Sequence, residues 1–174
     1  MELINKLERI VLGWVKNVPH LPATAQKWLA LNAWWIVLVA AIIGGIWFLF
    51  ALNGLFALLT LLNSVSNLYY VTNTYTDYAI FKAIVSLVLL GLAVAALAFA
   101  VMPLKDRQKK GWVLLFLSWI ISAISIVVSA ILSLSVIGFI ISIIFGAIFL
   151  AIGGYFLFEI HGQFAHPAKR AKKV

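Results

Sequence analysis

Cysteine is absent from the 174-residue chain, which excludes disulfides, thiolate nucleophiles, zinc thiolate sites and lipidated cysteines together. Charge is scarce as well: 10% of residues are Asp, Glu, Lys or Arg against 65% hydrophobic, and the mean hydropathy is +1.12. Soluble domains carry roughly a quarter charged residues, so a soluble globular fold is excluded and an integral membrane protein is expected. Acid is the scarcer sign, with five Asp and Glu against thirteen Lys and Arg, and the resulting charge of +8 makes anionic lipid headgroups the default partner of a membrane protein.

The residues that carry chemistry are equally thin. No nucleotide-binding loop, nucleophile elbow or metal-protease motif occurs. Glu159, His161, His20 and His166 are the obvious candidates for a metal or acid/base site. Their spacings do not set two histidines one helical turn apart, and no second carboxylate lies near Glu159 in the sequence. No catalytic residue, metal or cofactor is expected, and the chain reads as a non-enzyme. Glu2 and Glu8 interrupt the basic start, and no short apolar core leads to small residues there, so a cleaved signal peptide is not expected.

Hydrophobic patterning is what the chain does have. Leu3, Ile4, Leu7, Ile10, Val11, Trp14 and Val15 recur at spacings of three and four with Lys6, Arg9 and Lys16 between them, the pattern of an amphipathic helix lying on a membrane surface. Pro19 and Pro22 then deny helix hydrogen bonds and predict a bend, so residues 1–27 form an interfacial unit. Four apolar segments follow, at 28–50, 78–102, 112–132 and 136–158. Each reaches the ~20 residues that cross a ~30 Å hydrocarbon core. The expected fold is all-α: a four-helix membrane bundle over 28–160 with an N-terminal surface helix and a basic tail at 161–174. Residues 51–62 are apolar but too short to cross, and are left as an extension of the first helix or a segment on the outer surface.

Basic residues fix the number of spans and their direction. Lys6, Arg9, Lys16 and Lys27 precede the first span, Lys105, Arg107, Lys109 and Lys110 join the second to the third, and Lys169, Arg170, Lys172 and Lys173 follow the last. The 63–77 connection has no base. Cytoplasmic loops carry the excess of Lys and Arg, so four spans with both termini cytoplasmic fit every loop, whereas a fifth span at 51–62 would turn the 105–110 cluster outward. Trp28, Trp34, Trp35 and Trp112 are then expected at the inner interface and Tyr69, Tyr70, Tyr75 and Tyr78 at the outer one.

Placed at 100° per residue, Ser118, Ser122, Ser125, Ser129 and Ser133 fall on one arc of about 80°. Ser135, Gly138, Ser142, Gly146 and Gly153 share a face of the fourth span. Ala79, Ser86, Ala93 and Ala100 repeat every seven residues in the second, and Ala33, Ala40, Gly44 and Ala51 form the small face of the first. Small residues let helices approach closely where lipid supplies no hydrophobic incentive. Gly44, Ser118, Ser122, Ser125, Ser129, Gly138, Ser142 and Gly146 are therefore the expected helix-packing residues. The alternative is that the serines line a narrow polar path, although no span contains an Asp, Glu, Lys, Arg or His between Ala83 and Phe158 to serve an ion or proton.

Lys82 shares the face of Ser86, and offers either a fixed cation for an anionic ligand or a side chain reaching toward Asp77 and the interface. With Lys105, Arg107, Lys109 and Lys110 it completes the candidate anion or lipid contacts. The tail's bases lack interleaved aromatics, so nucleic acid is not an expected partner. The sequences LKDRQKKGWVLLF at 104–116 and GGYFLFEI at 153–160 resemble small uncharacterised four-span bacterial membrane proteins, a likeness covering roughly 28–160. It implies the bacterial inner membrane and brings no functional residues with it. The reading is a non-catalytic accessory or structural subunit that packs with itself or a membrane partner, with a small oligomeric transporter or channel as the alternative.

Overall fold

The computed structural model describes Lys6, Ile10, Gly13 and residues 19–66, 74–133 and 135–165. Among the described residues the regular structure is helical: α1 (Ala23–Ser66), α2 (Thr74–Lys105), α3 (Lys109–Ile131), α4 (Val136–Glu159) and a short α5 (His161–Ala165). The first four are long and apolar enough to cross a membrane, and they form the all-α bundle of a multi-pass membrane protein. Lys6, Ile10 and Gly13 are helical. The rest of the expected surface helix, Tyr69 and Tyr70 of the expected outer tyrosines, His166 and the basic tail lie outside the described residues.

α1 begins directly after Pro22, whose carbonyl accepts from Ala25 N at 2.9 Å and Gln26 N at 3.1 Å. It then runs unbroken through 51–62, which resolves that segment as an extension of the first helix. Asn53 and Gly54 lower helix propensity by about 1 kcal/mol or less each, and with no proline beside them they do not stop it. Its 44 residues span about 66 Å at 1.5 Å per residue, more than twice a hydrocarbon core.

α2 also exceeds its expected bounds, starting with Asp77 in its first turn and ending with Lys105 in its last. Both charges oppose the partial charge of the nearby helix end. Pro103 lies inside this last turn, where its ring removes one hydrogen bond but keeps a helical φ. The helix closes with Arg107 N on Leu104 O at 3.0 Å and Gln108 N on Pro103 O at 2.8 Å. That pair of bonds is a Schellman turn, and it holds Arg107 at φ 53°, a left-handed position that glycine usually fills.

The packed pairs are α1 with α2, α2 with α3 and α3 with α4, while α5 closes one end against α1, α3 and α4. Glycines set the closest approaches: a Cβ on Gly44 would stand 2.9 Å from Val94 Cγ2, and one on Gly91 would stand 3.0 Å from Phe48 Cε2. Gly111 backs onto Leu104 N, where a Cβ would come within 2.6 Å. These contacts fix the register.

The core is concentrated at the end that bears Lys27 and the 105–110 bases, called here the basic end. Ala30, Ala33 and Val37 of α1, Ala100 and Leu104 of α2, Trp112 and Phe116 of α3 and Leu157 and Phe158 of α4 form one buried cluster. Trp112 stacks on Phe116 at 5.3 Å between ring centroids and meets Phe158 edge-on at 5.7 Å. It was expected at the lipid interface, but it is 0% exposed and its Nε1 donates to Leu157 O at 2.9 Å. Anchoring α3 to the α4 backbone satisfies the indole N–H without water.

Candidate functional site

Two features of the bundle hold polar groups among apolar helices. The first is a groove of 390 Å³ running along α3 between α2 and α4, with Ser122, Ser125 and Ser129 on its floor and Ser142 and Gly146 on the α4 wall. Serine's place in this groove follows from the period of α3, which brings every third or fourth residue to one face.

The serines do not act alike. Ser118, 3% exposed, donates to Ala93 O at 3.0 Å and so ties α3 to α2. Ser122 donates to Ser118 O one turn back at 2.9 Å. Ser125, Ser129 and Ser142 line the groove with no hydrogen-bond partner among the described residues. Gly146 is buried against Ile126, and a Cβ there would collide with the Ile126 side chain.

Gly138 lies in the first turn of α4 and faces the residues that precede the helix, not a neighbouring helix. Its nearest neighbours are Ser133 and Ser135, and its N–H donates at 3.3 Å to the Ser135 hydroxyl that caps α4. A serine at the N-cap accepts from the otherwise unpaired first N–H groups, which explains this serine without reference to a partner. In α1 the buried face runs through Ala30, Ala33, Val37 and Ala41, and Ala40 and Ala51 of the expected small face are exposed. In α2, Ala93 and Ala100 are buried and Ala79 is exposed.

The second feature is a carboxylate latch at the basic end. Glu159 is 5% exposed. His20 Nδ1 donates to its Oε1 at 2.7 Å, while Leu21 N and Gln26 Nε2 donate to its Oε2, each at 3.0 Å. Tyr155 adds a bond from its hydroxyl to Pro19 O at 3.0 Å. The bend between Pro19 and Pro22 is thereby fastened to the last turn of α4, and α1 and α4 diverge from there around an apolar cleft of 290 Å³ lined by Val37, Ala40, Trp119, Phe149 and Phe156.

His20 is thus brought to Glu159, a juxtaposition the sequence spacing did not suggest. Three donors already occupy the carboxylate, and no buried side-chain polar atom among the described residues lacks a partner. His161 turns instead to Trp112, with ring centroids 4.6 Å apart. Among the described residues no three His, Asp or Glu side chains converge as a metal site requires. The arrangement joins two helix ends.

Lys82 is half-buried and makes no ion pair among the described residues. Lys105 reaches over the Trp34 ring, its Nζ 5.5 Å from the centroid, which fixes it by cation–π attraction. Lys109 and Lys110 are exposed in the first turn of α3, and Arg107 is exposed in the turn before it. Comparison of the chain with protein-family models, curated proteins and solved structures finds no match.

Proposed function

We propose that the protein is a non-catalytic subunit of the bacterial inner membrane, both termini cytoplasmic, whose serine groove receives a transmembrane helix from a second copy or a membrane partner. The observation that carries this reading is the row of unpartnered hydroxyls, Ser125, Ser129 and Ser142, beside the glycine Gly146 in a groove open on its side. In hydrocarbon a hydroxyl has no water to bond. A visiting helix supplies carbonyls and hydroxyls to bond it and small residues to pack against it.

The same hydroxyls favour the second reading, a small oligomeric transporter in which copies enclose the groove as a path. One experiment separates the two. With Ser129→Cys carrying a benzophenone, illumination in native membranes should give a protein–protein adduct, while Phe145→Cys, 69% exposed on α4, should give lipid adducts alone. Absence of a protein adduct at position 129 would overturn the helix-docking reading. Solute uptake into liposomes that is lost in a Ser122→Leu/Ser125→Leu variant would establish transport instead.

A further inference from the structure

We infer that the basic end carries a phosphate pocket for an anionic phospholipid, built from Lys27, Arg107 and Gln163. Three parts of the chain meet there: the first turns of α1, the α2–α3 turn and α5. Between them lies a cavity of 130 Å³, lined by Lys27, Ala30, Leu31, Arg107, Gln163 and Phe164. A water needs about 10–15 Å³ of such a cavity, so there is room for a phosphate group. Ala30 and Phe164 are buried and make an apolar floor. Every polar side chain among the lining residues carries a donor, and no carboxylate is among them.

The two cations have no counter-charge of their own. Among the described residues the one ion pair is His20 with Glu159. The nearest acid in sequence, Asp106, is exposed and accepts from Gln108 Nε2 at 3.4 Å. Two positive side chains converging on one hollow repel each other until an anion arrives. A guanidinium matches two phosphate oxygens at once, the ammonium adds a point charge, and the amide N–H completes the set.

Arg107 also occupies a position where its side chain is a backbone liability. It sits at φ 53° in the Schellman turn, the place in which glycine costs nothing. The charge is therefore separable from the fold at this residue.

The surface beside the pocket selects a lipid over a free phosphate. Leu31, Trp35 and Leu38 follow Lys27 at helical spacing along one face of α1 and are all exposed, at 51%, 40% and 38%. An amphiphile that sets its phosphate between Lys27 and Arg107 can lay an acyl chain along that strip without leaving the hydrocarbon. Nothing in this assignment depends on what fills the serine groove.

The test uses the full chain in detergent, with native mass spectrometry of retained dioleoylphosphatidic acid. Wild type should keep one molecule, in preference to dioleoylphosphatidylcholine. Lys27→Gln with Arg107→Gly should weaken retention about 25-fold, at about fivefold per cation. The charge-matched pair Lys109→Gln with Lys110→Gln should change it less than about twofold. Arg107→Gly should melt no lower than wild type, so that lost binding is not lost folding. Equal weakening in both pairs would assign the effect to diffuse surface charge and overturn the pocket. If the first pair abolishes binding of inorganic phosphate while leaving lipid retention intact, the pocket serves a soluble phosphate and the lipid assignment fails.

Discussion

Glu159 stands where a helix least tolerates negative charge, in the last turn of α4, among carbonyls that already carry the negative end of the macrodipole. Its carboxylate depends on donors from elsewhere, and His20, the Leu21 amide and Gln26 provide them. Glu159→Ala leaves those donors unpaired and releases the bend from α4. The expected loss is about 1.5–3 kcal/mol, the range for hydrogen bonds to a charged group, read as a lower melting temperature in detergent. Gln26→Ala removes one of the three bonds and should cost less. An unchanged melting temperature for Glu159→Ala would show that the latch adds nothing to stability. A lone acid at the end of an apolar helix was legible in the sequence. Its partner was not, because 139 residues separate His20 from Glu159 and only the meeting of the end of α4 with the start of α1 joins them. Trp112 was misplaced for a related reason: hydropathy locates a tryptophan near a helix end but does not tell a lipid-facing indole from one whose N–H is bonded inside.

At the scale of elements, the spans were legible as apolar runs, and their ends were not. Thr24, Gln26 and Lys27 are too polar for hydrocarbon and entirely compatible with helix, so α1 starts at Ala23, earlier than its apolar stretch. The small face of α1 shows how a pattern misleads. On a helical wheel of 100° per residue the buried positions Ala30, Ala33, Val37 and Ala41 cover an arc of about 80° to one side of Ala33. Ala40, about 20° to the other side, is therefore exposed, and Ala51, at the same angle as Ala33, is exposed as well. Gly54 tests the continuity of α1. It is helical, and a Cβ there meets nothing within 4 Å. Gly54→Ala should stabilise the protein by up to about 1 kcal/mol, measured by thermal melting followed through helical circular dichroism. Destabilisation would mean that the helix bends at this point in the membrane.

For the molecule as a whole, the fold gathers Lys27, Lys105, Arg107, Lys109 and Lys110 at one end, as the loop charges led one to expect. The proposed orientation puts that end in the cytoplasm. A chain without cysteine is convenient for checking it: in intact cells Asn73→Cys should react with a membrane-impermeant maleimide and Gln108→Cys should not, and the reverse pattern would invert the topology. The unequal heights of the helices have a further effect on the surrounding bilayer. The apolar run of α1 from Trp28 to Leu62 measures about 52 Å, and the 24 residues of α4 about 36 Å. Lipids on the α1 flank and those on the α4 flank therefore meet walls of different hydrophobic thickness. Such a mismatch costs fractions of a kcal/mol per ångström, and a rigid body relieves it by leaning toward its shorter side. The α1–α2 hairpin acts as a keel that sets the tilt of the whole bundle, and a thicker membrane would hold the protein more upright.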